Sequence, residues 1–132
     1  MSYLLDTHIL LCTRLHPQRL TKSQLNVLSN PDEQKFISIL SIWEISLKFS
    51  LQKLTLGEYT PEIFLESALK LGLTIIEPSP AQYASFYNLP TVLQHKDPFD
   101  RMIIWQAITN KLTLLSSDNK MKEYKIHGLS LV

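Results

Sequence analysis

A chain of 132 residues that is 45% apolar and 19% charged carries enough apolar side chains for a hydrophobic core, which excludes a disordered or low-complexity polypeptide. The net charge of +1 announces neither a nucleic acid nor a membrane as partner, although a local basic rim is enough to engage phosphates. One cysteine excludes an internal disulfide, and three scattered glycines, Gly57, Gly72 and Gly128, exclude a phosphate-cradling P-loop or dinucleotide fingerprint.

In chain order, residues 3–5 read as a first strand that Asp6 closes, and a helix is expected from about Ile9 to Leu15. Cys12 lies in the apolar run of that helix, where a buried inert thiol is the expectation. Thr21 is placed to cap a second helix that runs to about Leu28 and closes at Asn30-Pro31. Residues 36–38 form a short strand. Ser41 then opens a helix reaching roughly Leu51, with Ser41-Ile42-Trp43-Glu44 matching a capping box. After a loop over residues 52–59, Thr60-Pro61 supplies a cap and a proline at the first helical position, and Gly72 ends that helix.

Residues 73–76 read as the next strand. Ser79-Pro80 starts a helix that Leu89-Pro90 breaks, and Asp97-Pro98 starts the most strongly signalled helix, ending near Asn110. Residues 112–115 form a buried strand, 119–124 a loop or single helical turn, and 129–132 a final edge strand. Short apolar runs alternating with amphipathic stretches predict an α/β domain over residues 1–132 with a parallel sheet, undivided by linkers or repeats. No basic leader or long apolar segment is present, and with the lone thiol this predicts a cytoplasmic protein without a membrane span.

Four carboxylates stand at the mouths of these elements. Asp6 and Asp118 follow strands, while Glu44 and Asp100 lie in first helical turns, with Asp97 as the N-cap before Asp100. Each has a structural explanation alone: a capping box for Glu44, a helix-dipole position for Asp100, a turn for Asp118 and an N-cap for Asp6. Together they occupy the places that face one crevice at the carboxyl end of a sheet. Carboxylates so close repel one another unless a cation lies between them, which points to a hard divalent ion and phosphodiester chemistry.

Leu4-Leu5-Asp6-Thr7-His8, Ser41-Ile42-Trp43-Glu44-Ile45 with Lys48, His95-Lys96-Asp97-Pro98-Phe99-Asp100-Arg101 with Gln106-Ala107, and Leu114-Leu115-Ser116-Ser117-Asp118 lie in order along the chain. In these blocks the chain resembles the PIN-domain family, specifically the VapC-type ribonuclease toxins of toxin–antitoxin pairs. The resemblance implies a PIN-like three-layer sandwich, a central mostly parallel sheet flanked by helices. It also implies Mg2+- or Mn2+-dependent cleavage of RNA, a VapB-type antitoxin partner and a homodimer. By resemblance Asp6, Glu44, Asp100 and Asp118 would be the metal-binding and catalytic carboxylates, with Thr7, Asp97 and Ser116 supporting them. Trp105 departs from the small residue usual before Gln-Ala, which is expected to reshape a core contact or an interface.

Arg14, Lys48, Lys53, Lys96, Arg101 and Lys120 are the candidates for a rim that steers RNA, with Lys48 and Arg101 favoured. His8 and His95 are read as helix-start or packing residues, and Trp43, Phe49 and Phe99 as core or subunit contacts. Two rival functions remain in view. A phospho-acceptor signalling domain would need an aspartate after the third strand, where Ile76-Glu77-Pro78 stands instead. A catalytically silent RNA-binding or interaction module on the same fold would need none of the carboxylates.

Overall fold

Strand Ser2–Leu5 (β1) is the middle of a five-stranded sheet in the computed structural model, which describes residues 1–132. The other strands are Gln34–Ser38 (β2), Thr74–Ile76 (β3), Thr113–Leu115 (β4) and Ser130–Leu131 (β5), in the order β3-β2-β1-β4-β5. Every pairing is parallel. Parallel neighbours need long crossovers, and these are supplied by helices Thr7–Leu15 (α1), Lys22–Ser29 (α2), Ile39–Ser50 (α3), Pro61–Leu69 (α4), Pro80–Ser85 (α5) and Pro98–Thr109 (α6). Short 3-10 turns cover Pro17–Arg19 and Phe86–Asn88, and a longer one covers Asn119–His127.

Alternation along β1 builds the three layers. Leu5 faces a core with Ile9 and Leu10 of α1, Ile45 of α3 and Phe64 and Ala68 of α4. Leu4 faces the other way, onto Ile103, Ile104 and Ala107 of α6 with Met121 and Tyr124. A strand buried on both faces is apolar nearly throughout, which is why residues 3–5 and 114–115 show no polar alternation. Each fully buried leucine contributes about 1.5–3 kcal/mol. No helix is long and apolar enough to cross a membrane.

The caps at Thr21, Thr60, Ser79 and Asp97 stand where the sequence places them. Two helices begin earlier than expected. α1 starts at Thr7 because Asp6 caps it, accepting from the Ile9 N–H at 2.8 Å. α3 starts at Ile39, with Ser38 as its N-cap accepting from the Leu40 N–H at 3.1 Å. Ser41 is therefore not a cap, and Glu44 belongs to no capping box; both are buried within the helix body. The segment after β4 is also longer than a single turn, closing only at Gly128 in the left-handed region (φ 101°).

Candidate active site

β1 and β4 run level, with Leu5 opposite Leu115, so the residues following them emerge side by side. The Asp6 N–H donates to the Leu115 carbonyl at 3.1 Å. A cleft of about 290 Å³ opens here, lined by Asp6, His8, Asp100, Ser117, Asp118 and Met121. The structure thus gathers Asp6 from the N-terminal strand with Asp100 from α6 and Asp118 from the turn after β4.

Asp6 is buried, and desolvation lifts its carboxyl from 3.8 to about 6. The Ser116 hydroxyl and the Ile9 N–H oppose that rise by bonding the charged form, while the negative charge of Asp100 adds to it. Ser116 also accepts from the backbone N–H of Asp118 at 3.1 Å, so this buried hydroxyl links the Asp6 carboxylate to the turn that carries Asp118. Asp118 in turn accepts from the Lys120 N–H at 2.9 Å and starts the Asn119–His127 segment. The Asp100 carboxyl is likewise pushed above its ordinary range, first by burial and then by the charge of Asp97. Asp97 itself accepts from the N–H groups of Phe99 and Asp100 as the α6 cap and does not line the cleft.

Glu44 stands just outside that lining. Its Oε1 accepts from the Thr7 hydroxyl at 2.7 Å and its Oε2 from Lys48 at 2.6 Å, a bond that raises the Lys48 pKa. Thr7 lies a further 2.9 Å from the Ser41 hydroxyl. The charge of Glu44 still reaches Asp100. Glu44 is a buried carboxylate already held by a cation, whereas no lysine or arginine pairs with Asp6, Asp100 or Asp118.

His95, expected as a helix-start or packing residue, bonds a cleft carboxylate instead. Its ring is buried, with Nε2 3.3 Å from Asp100 Oδ2 and Nδ1 3.1 Å from the Tyr124 hydroxyl. Ligand atoms of His95, Asp100 and Asp118 lie within 4.8 Å of one another. The position of His95, five residues before Asp100, was a visible signal. Tyr124 carried none, because its approach depends on the 3-10 segment.

The basic residues divide by what they already hold. Arg101 Nη2 donates to the carbonyls of Leu89 at 2.7 Å and Pro90 at 3.1 Å, and its guanidinium lies 5.0 Å from the Phe86 ring centre. Arg14 donates to the Ser67 carbonyl. Lys53, Lys96 and Lys120 are exposed. Trp43 lies outside the core, 59% exposed, with its ring edge-on to Phe99 at 5.3 Å beside a groove completed by Leu40, Leu47, Tyr83, Phe86 and Met102. Trp105 makes a helix contact instead, donating from Nε1 to the Gln82 carbonyl of α5 at 3.1 Å.

The donor set suits a hard divalent ion: carboxylates from three segments line one cleft, the charge of Asp100 reaches Asp6, and no lysine or arginine pairs with any of them. The PIN domain family model matches residues 3–126. No match was found among curated protein sequences. Among solved structures, the chain is similar to VapBC2 from Rickettsia felis bound to a DNA fragment from their promoter, at 22% identity and a TM-score of 0.70, over 100% of this chain and 98% of that one. It is similar to VapBC-1 from nontypeable Haemophilus influenzae at 16% identity and 0.66, over 100% and 97%. FitAcB from Neisseria gonorrhoeae follows at 18% and 0.66, over 98% and 95%.

Proposed function

The chain belongs to the PIN-domain family, and from that premise we propose that it is the toxin of a VapBC-type pair, a divalent-metal-dependent RNA endonuclease. The observation that carries this reading is the uncompensated acidic cleft of Asp6, Asp100 and Asp118 at the carboxyl end of the sheet. Such a cluster raises the energy of the folded chain unless it has a cationic ligand to hold. Mg2+ or Mn2+ would be held by these three carboxylates and would supply a Lewis acid that activates water and neutralises the phosphodiester.

The chain's own residues do the rest. Ser116 and the α1 N-terminus keep Asp6 oriented and favour its ionised form. Thr7 and Lys48 hold Glu44 behind the cleft, where its charge adds to the field at Asp100. Lys48, 44% exposed at its side chain, keeps an open face toward an RNA phosphate. Arg101 serves the backbone of Leu89 and Pro90. The solved structures that support the toxin reading are named as VapBC and FitAcB, so a VapB-type antitoxin is the partner we assign. A homodimer in the cytoplasm, with residues 1–132 as a single domain, completes the proposal.

The test is cleavage of a mixed cellular RNA pool by the purified, antitoxin-free chain with Mg2+ or Mn2+, then with EDTA, alongside Asp100→Asn. We expect discrete fragments that vanish on chelation and in the variant. Cleavage that survives EDTA would move the chemistry to His8 and His95. Intact RNA from folded protein would favour a silent binding module.

A further inference from the structure

We propose that His95, held by Tyr124, is the positioning residue that fixes the Asp100 carboxylate and its separation from Asp118. This rests on the metal-site reading above and adds residues it does not use. Hydrogen-bond chemistry sets the direction of the chain. Ionised Asp100 only accepts, so His95 Nε2, 3.3 Å from Oδ2, donates. The neutral ring then has an acceptor at Nδ1, and the Tyr124 hydroxyl, 3.1 Å away, donates to it. The acceptor-only carboxylate of Asp100 thereby selects the tautomer, and the Tyr124 hydroxyl satisfies the ring nitrogen that remains. Asp100 lines the cleft, and its Oδ1 carries no protein hydrogen bond.

Burial makes the arrangement specific. His95 is 4% exposed and Tyr124 is fully buried, so neither ring can touch RNA, and each polar atom would be costly without its partner. The rings meet edge-on at 5.8 Å, and the backbone N–H of His95 donates to the Val92 carbonyl at 2.8 Å. Tyr124 also belongs to the segment that Asp118 caps. The pair therefore joins α6, which carries Asp100, to the turn that carries Asp118. An imidazole bonded to a ligand carboxylate is a recurrent means of tuning a metal site, and its loss typically weakens metal affinity on the order of 10- to 100-fold.

The experiment compares Mn2+ affinity, measured by calorimetry on the full chain, for wild type, Asp100→Asn, Tyr124→Phe, His95→Leu and His95→Gln, with thermal unfolding of each. Wild type should bind, and Asp100→Asn should not. Tyr124→Phe keeps the ring and should stay folded, yet lose on the order of 10-fold in affinity. His95→Leu should lose more, and His95→Gln, whose amide can still donate to Asp100, should recover part of it. With RNA, kcat should fall while KM holds. Wild-type affinity in both Tyr124→Phe and His95→Leu would overturn the proposal and reduce the pair to packing. A loss in His95→Gln as complete as in Asp100→Asn would also overturn it, by making the imidazole itself a ligand. Failure of wild type to bind Mn2+ would bring down the metal-site reading and this proposal with it.

Discussion

Asp6 caps α1 and faces the cleft, and the two tasks pull its charge in opposite directions. Its carboxyl titrates near 6 in the fold against 3.8 ordinarily, so the native state takes up a proton as pH falls from about 6 toward 4 and gains stability there. Above about pH 6 both states are ionised and the net cost of holding this charge in the fold is present, about 3 kcal/mol. Asp6→Asn keeps a competent cap without the charge. In metal-free protein it should raise the melting temperature at pH 7, an advantage that disappears near pH 4, while cleavage is lost; a lower melting temperature at pH 7 would contradict the account. Protons and the divalent ion compete for the same oxygens. Cleavage should therefore decline below about pH 6 at limiting ion, and the midpoint should move lower as Mn2+ is raised. A midpoint indifferent to Mn2+ would remove Asp6 from the ligand set. Asp6 and Asp100 were legible in the sequence because strand ends and helix starts are local signals. The placing of His95 five residues before Asp100 was legible too, but its role was not, because an imidazole bonded to a carboxylate looks the same on the page as one that merely packs.

At the level of elements, cap chemistry was readable wherever one residue offered it, as at Thr21, Thr60, Ser79 and Asp97. It failed at α3, where Ser38 and Ser41 both offered a hydroxyl. The sheet decides between them: β2 is paired as far as Ser38, opposite Ile76, and the helix begins at once. Ser38→Ala should cost about 1 kcal/mol in denaturant unfolding, the usual penalty for a lost cap. No change would return the N-terminus of α3 to Ser41. Trp105, which the sequence marked as unusual, ties α6 to α5 through the Gln82 carbonyl and Ser85 Oγ. Trp105→Phe should cost about 1 kcal/mol and speed amide exchange in α5; unchanged exchange would show that α5 is held by packing alone. The 3-10 segment was underestimated because its polar sequence hides Met121 and Tyr124, which only tertiary burial holds in place.

For the molecule as a whole, apolar runs alternating with helical stretches made an α/β sandwich legible, but not the order of its strands. Parallel strands carry no hairpin turn to say which neighbours which, and β1 beside β4 is a pairing of Tyr3 with Thr113. Leu4→Ala, at the centre of the sheet and fully buried, should cost about 3–4 kcal/mol, checked by denaturant unfolding with an unchanged slope. A loss under 1 kcal/mol would mean that the two layers close over the gap. The same adjacency of β1 and β4 sets a clock on biosynthesis. A nascent chain bears Asp6 early, but Asp6 meets neither Asp100 nor Asp118 until residues 113–115 have left the ribosome and slid in beside it. Through most of its manufacture the polypeptide holds no assembled cleft, and the three carboxylates come together only when β4 and the turn after it are in place.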